Sequence, residues 1–165
     1  MNVCNFSSPK KLVRRSATRG PAKSPRTALR SPRKPKMKTI LVVDDYEIVR
    51  LYHSMFLTQK GYRCVPASDG KEALVALRQQ PVDLLLLDMV MPNMSGAELI
   101  QHLRASPEFA ALPILAITSE AKHAEEQFGR EASHLRFLLK PVMPDTLVAQ
   151  VRAMLGAEDP SKAAS

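Results

Sequence analysis

From Thr39 onward, apolar and polar positions alternate between two patterns. Short continuous apolar runs read as strands buried on both faces. Longer segments with apolar residues three and four apart read as helices. "TILVV" (Thr39–Val43), "YRCVPA" (Tyr62–Ala67), "VDLLLLD" (Val82–Asp88), "LPILAIT" (Leu112–Thr118) and "LRFLLK" (Leu135–Lys140) are the five strand runs. Pro66 suits the second of them to a sheet edge or a strand end. Between the first two strands, Ile48, Leu51, Tyr52, Met55 and Phe56 recur at helical spacing, and Gly61 stops that helix. Further helices are predicted over Lys71–Gln80, over Ser95–Ala105 with Ser95 as N-cap, over the polar segment Glu120–Arg130, and over Pro144–Leu155. Five strand–helix units at this pitch predict an α/β fold: a doubly wound parallel sheet with right-handed crossovers and helices on both faces.

In a parallel sheet the carboxyl ends of the strands share one edge, and ligands bind there where the strand order reverses. The chemistry-bearing residues of this chain all fall at those ends. The first strand runs into Asp44 and Asp45, the third ends in Asp88, the fourth in Thr118 and the fifth in Lys140. Two carboxylates ~5 Å apart repel by roughly 3 kcal/mol at an effective dielectric of about 20. Such a cluster needs positive charge, or its pKa values rise. Lys140 supplies one charge; a hard divalent cation supplies the rest, and an all-oxygen set suits Mg²⁺ rather than zinc. One strand-end aspartate is an ordinary solvated cap; five such residues on one edge form a constellation.

Composition divides the chain in two. Residues 1–36 hold eleven Lys and Arg and no acid, so the net charge of +8 belongs to that segment; the remainder carries thirteen basic against sixteen acidic residues. Rich in Pro, Ser and Arg and poor in large apolar residues, the segment is expected to be disordered. Its "SPKK", "SPRT" and "SPRK" elements resemble the Ser-Pro-basic repeats of linker-histone tails, which implies weak nucleic-acid binding through phosphate neutralisation. Three other readings stay open: a solvated basic tail without a partner, an upstream extension of a domain starting at Met37, or an organellar transit peptide. The expected domain organisation is therefore a basic tail (1–36), a folded domain (37–157) and a short polar end (158–165), and no effector domain is expected to follow.

Cys4 and Cys64 suggest neither a disulfide framework nor a metal site. No apolar run approaches the ~18 residues of a membrane span, and the tail lacks the apolar centre of a secretory signal, so a cytoplasmic location is expected. His53, His102, His123 and His134 are scattered, pair with no nucleophile, and read as surface or structural residues.

The segment from about Lys38 to Leu155 resembles the receiver domain of two-component response regulators, particularly the single-domain chemotaxis type. The resemblance rests on "VVDD" (Val42–Asp45), "LLLLDMVMPNMSG" (Leu84–Gly96), "AIT" (Ala116–Thr118) and "KP" (Lys140–Pro141), and on intervals of 30 residues from Asp88 to Thr118 and 22 from Thr118 to Lys140. It implies a flavodoxin-like (βα)5 sheet in the order 2-1-3-4-5. It implies that Asp88 accepts a phosphoryl group from a sensor histidine kinase or histidine phosphotransfer protein and becomes 4-aspartylphosphate. Asp45, Asp44, Asp88 and the backbone carbonyl of Val90 would hold Mg²⁺, with Lys140 and Thr118 on the phosphoryl oxygens. Thr118 and Phe137 would form the switch, and Lys140-Pro141 is a candidate cis peptide.

The chain departs from the family pattern in three places. Phe137 lacks the hydroxyl of the tyrosine that is common there. Ser133 and His134 replace a usual Gly-Ala pair, so the turn before the fifth strand is expected to differ. Val90 and Glu120 occupy the variable positions beside the phosphate.

The expected function is a stand-alone response regulator, a phosphoacceptor rather than an enzyme. It would signal by partner binding or onward phosphotransfer, through a face made by the fourth helix, fifth strand and last helix around Lys122, Phe137 and Val142. The alternative is a nucleic-acid-associated protein whose receiver gates its basic tail. A phosphatase of the Asp-x-Asp type is disfavoured, because Val90 stands where the second acid is needed.

Overall fold

The computed structural model describes residues 37–129 and 134–156. The readings made for residues 1–36, Ser133 and residues 158–165 lie outside the described residues. Ten elements alternate: β1 (Thr39–Val43), α1 (Glu47–Gln59), β2 (Arg63–Ala67), α2 (Gly70–Gln79), β3 (Leu84–Asp88), α3 (Gly96–Ala105), β4 (Ile114–Thr118), α4 (Ala121–Phe128), β5 (Leu135–Leu139) and α5 (Pro144–Leu155). The strands form one parallel sheet in the order β2-β1-β3-β4-β5, the flavodoxin-like order the resemblance implies. Pro66 sits on the edge strand β2, opposite Val42, where its missing N–H leaves no inner ladder bond unmade.

Successive strand residues point to opposite faces, and both faces are covered. Leu41, Val43, Leu85, Leu87, Ile114 and Ala116 meet Ala73, Leu77, Leu99 and Leu103 of α2 and α3. Ile40, Val42, Leu84, Leu86, Leu115 and Ile117 meet Leu57 of α1 and Leu147, Val148 and Val151 of α5. Burying each such aliphatic side chain contributes roughly 1.5–3 kcal/mol, against tenths for intrinsic propensity, so the core rather than the helices decides the fold.

Local signals set several boundaries. Asp69 caps α2 by accepting from Glu72 N–H, and Ser95 with Glu98 makes a reciprocal capping box at α3. Pro144 opens α5, and left-handed Gly156 closes it. Two differences from expectation concern helices. The apolar stripe that identifies α1 is not the face it buries: Ile48 is 82% and Leu51 62% exposed, and the buried residues are His53 and Leu57. The α4 helix stops at Phe128 rather than Arg130, because Gly129 leaves helical geometry (φ 82, ψ 140). Before β5, His134 takes a left-handed φ of 72°. No helix among the described residues is long and apolar enough to cross a membrane.

Candidate functional site

β1 and β3 are neighbours, in register from Ile40↔Leu84 to Val43↔Leu87. That register brings the residues after Val43 beside the end of β3. Asp44, Asp45 and Asp88 each place a carboxylate oxygen within 4.8 Å of the others. Asp88 is 2% exposed, and Asp44 is also buried. Asp44 Oδ1 accepts from Tyr46 N–H at 2.9 Å, and Asp88 Oδ1 accepts from Val90 N–H at 3.1 Å. Asp45 Oδ1 is buried with no hydrogen-bond partner. Burial, and then the charges of Asp88 and Asp45, push the Asp44 carboxyl above its ordinary range, with Tyr46 N–H and Lys140 opposing.

Lys140 comes to this cluster from the far side of the sheet. Its Nζ donates to Asp88 Oδ2 at 2.7 Å, across 52 residues of sequence. The backbone N–H of Lys140 donates to the Thr118 carbonyl at 2.9 Å, which fastens the end of β5 to the end of β4. The Lys140–Pro141 peptide is cis, as its sequence suggests. Thr118 is buried, and its Oγ1 accepts from Glu120 N–H at 3.1 Å. Phe137 lies on the same sheet face, its pair being Ala116 while Thr118 pairs with Leu139. It is half-buried against Phe128, ring centroids 6.0 Å apart. Val90 is largely exposed beside the cluster. The fold thus gathers Asp44, Asp45, Asp88, Thr118 and Lys140 at one carboxyl edge, with Phe137 in the middle of β5.

The donor set fits a hard divalent cation. Three carboxylates faced by one ammonium leave net negative charge in a largely buried crevice. The unpartnered Asp45 oxygen is the kind of buried atom that a bound ion satisfies. All the donors are oxygens, the preference of Mg²⁺.

Sequence reading left His53 as a surface or structural residue, and the structure makes it a buried one. It is 5% exposed and lines a mostly apolar groove of about 480 Å³ with Ile48, Val49, Tyr52, Ile117, Lys140, Pro141 and Val142. A histidine at a helical spacing gives no hint that it faces the sheet. A second groove of about 540 Å³ lies at the amino ends of β3 and β4, lined by residues such as Pro81 and Pro113, away from the carboxylates.

Burial pushes the His53 imidazole below its ordinary value; Lys140 acts in the same direction and Asp88 against it. Between the folded value and the unfolded 6.5, the unfolded chain binds more protons here. This group's stabilising contribution is therefore full above about pH 6.5 and lost as pH falls below it. Acidification from about pH 7 to pH 5 should lower the unfolding midpoint more in wild type than in His53→Val. Equal losses in both would show that this imidazole is not the cause. Cys64 is quieter: it is half-buried, and burial raises its thiol pKa, which keeps it an unreactive packing residue.

A doubly wound parallel sheet in the order β2-β1-β3-β4-β5, with an acidic cluster and a lysine gathered at the carboxyl ends of its strands, defines a flavodoxin-like α/β domain. The chain belongs to the response regulator receiver domain family, whose model matches residues 40–152. Similar solved structures include chemotaxis protein CheY4 of Vibrio cholerae, at 32% identity and a TM-score of 0.66, covering 72% of this chain and 99% of that one. Another is response regulator protein TrrA of Thermotoga maritima in complex with Mg(2+)-BeF, at 30% identity and a TM-score of 0.63, covering 72% and 100%. Among curated relatives, a probable cyclic di-GMP phosphodiesterase of Vibrio cholerae is 38% identical over 117 residues, 71% of this chain and 26% of that protein. The chain spans about half or less of the curated relatives it matches.

Proposed function

We propose that this protein is a cytoplasmic response regulator whose Asp88 accepts a phosphoryl group from a partner's phosphohistidine. The observation that carries the reading is the buried Asp88, held by Lys140 at 2.7 Å and flanked by Asp44 and Asp45. An Asp88 carboxylate oxygen attacks phosphorus, the P–N bond breaks, and the electron pair leaves on the histidine nitrogen. An acyl phosphate remains on Asp88. Phosphoryl transfer of this kind asks the protein for positioning and charge neutralisation rather than for covalent help.

Asp44, Asp45, Asp88 and the Val90 carbonyl would hold Mg²⁺, which when bound neutralises charge shared between the acceptor and the incoming oxygens. Lys140 follows one phosphoryl oxygen as a point charge. The Thr118 hydroxyl donates to another, an interaction available only in the phosphorylated state and therefore able to shift a conformational equilibrium.

The groove walled by Ile48, Tyr52 and Val142 shares Lys140 with this site and suits the donor protein, which must bring its histidine to Asp88. The face built from α4, β5 and α5 is left for the downstream target. With acetyl phosphate as donor, wild-type protein should gain one phosphoryl mass in Mg²⁺ and essentially none in EDTA. Equal incorporation in both would overturn the metal site.

A further inference from the structure

The two acids that follow β1 lie beyond its ladder, whose last pairs are Val43↔Ala67 and Val43↔Leu87. Polar backbone groups past the end of a strand must find partners elsewhere. Asp44 is tied on every side. Its N–H donates to the Ala67 carbonyl at 3.3 Å. Its Oδ1 accepts from Tyr46 N–H at 2.9 Å. Its carbonyl oxygen accepts from Nη1 of Arg50 at 2.6 Å. Arg50 stands in the first turn of α1, half-buried, and its own N–H closes that turn on the Tyr46 carbonyl at 3.0 Å. An arginine at a helix start usually extends into solvent; this one turns back over the loop and spends a charge-assisted donor on a backbone carbonyl.

The effect of that bond reaches the next residue. A peptide unit is planar, so the direction of the Asp44 carbonyl fixes the N–H and Cα of Asp45. Asp45 is the acid whose Oδ1 is buried without a hydrogen-bond partner. An oxygen of its carboxylate still stands within 4.8 Å of oxygens from Asp44 and Asp88. An unbonded carboxylate oxygen does not orient its own side chain; the backbone that carries it does.

We propose that Arg50 is a positioning residue for the cation site: by bonding the Asp44 carbonyl it sets the peptide that aims Asp45 at the shared centre. The inference rests on the reading of Asp44, Asp45 and Asp88 as the Mg²⁺ site. Groups that hold metal ligands in place change metal affinity by about 10- to 100-fold when they are removed.

Charge and position predict opposite signs here. Arg50 is a cation beside a cation site. Acting through charge alone, its removal would strengthen Mg²⁺ binding, because like charges repel. Acting through the Asp44 peptide, its removal weakens binding, because the peptide is free to turn and Asp45 turns with it.

Calorimetric titration of the full chain with MgCl₂ separates the two. Arg50→Met keeps the apolar stem and removes both donor and charge; it should bind Mg²⁺ about 10- to 100-fold more weakly than wild type. Arg50→Lys restores a cationic donor without the planar fork and should recover part of that loss. Arg50→Gln takes the place of Arg50→Met should the latter not fold, and unfolding midpoints in EDTA identify the folded variants. A folded Arg50→Met that binds Mg²⁺ as tightly as wild type, or more tightly, overturns the positioning role and leaves the cation site standing. An Arg50→Lys as weak as Arg50→Met overturns the hydrogen bond as the cause. Failure of wild type itself to bind Mg²⁺ overturns the cation site as well, so the two failures are distinguishable.

Discussion

Asp88→Asn should take up no label from a phosphorylated kinase or acetyl phosphate under conditions in which wild type gains one phosphoryl mass. The substitution keeps the shape of the side chain and an oxygen that can accept from Lys140 Nζ, now 2.7 Å from Asp88 Oδ2. What it removes is the carboxylate nucleophile. The fold should survive, because two charge effects oppose each other. Losing the ion pair with Lys140 destabilises, while removing one of three clustered carboxylates relieves repulsion of roughly 3 kcal/mol per pair at ~5 Å and an effective dielectric of about 20. An unfolding midpoint near that of wild type together with absent label assigns the loss to chemistry. Equal labelling of variant and wild type would sink the proposed role of Asp88.

Gly96→Ala should disable the same site from behind. A Cβ on Gly96 would lie 2.6 Å from the carbonyl oxygen of Asp88 and 2.7 Å from Met89 Cα. Both are backbone atoms at the end of β3, also tied to α3 by the Gly96 N–H donating to Met89 O at 3.1 Å. Either α3 lifts or the end of β3 moves, and both displace Asp88. Overpacking of this kind costs about 1–3 kcal/mol, and a misplaced nucleophile should slow phosphoryl uptake at least tenfold.

Gly70→Ala is the control. Its Cβ would meet Met94 at a similar 2.7 Å, but the atoms met are Met94 Cγ and Sδ. Met94 Cβ also lies at 3.0 Å, but a flexible thioether side chain yields more cheaply than backbone, so stability and uptake should fall less than in Gly96→Ala. Urea denaturation and initial labelling rates distinguish the two glycines; a Gly96→Ala protein as stable and active as wild type would refute the argument.

Much of this site was legible because strand ends are legible. An apolar run that stops at Asp44, Asp88, Thr118 or Lys140 marks both a buried strand and the residue its carboxyl end delivers. Boundaries at the amino ends were less so: β3 begins at Leu84 and β4 at Ile114, two residues later than the apolar runs suggest. Val82 and Leu112 are apolar without laddering, since apolar character reports burial and not pairing. The capping signals at Ser95 and Gly61 were readable because they act within a few residues. Phe128 and His53 were not, because their partners Phe137 and Lys140 come from elsewhere in the chain.

The amino-acid sequence by itself determined the five strand–helix units, the parallel class of the sheet, and the acids, hydroxyl and ammonium that share its edge. Those follow from periodicity and from where apolar runs end, both local properties. Only the tertiary structure decided the rest: that Lys140 reaches Asp88 across 52 residues, that Asp45 Oδ1 is left without a partner, and that α1 turns His53 inward and its apolar stripe outward. A helical period shows that a stripe exists, but which stripe is buried depends on what the sheet and β5–α5 connection present to it. Distances between side chains from separate elements are set by packing, and no spacing along the chain encodes them.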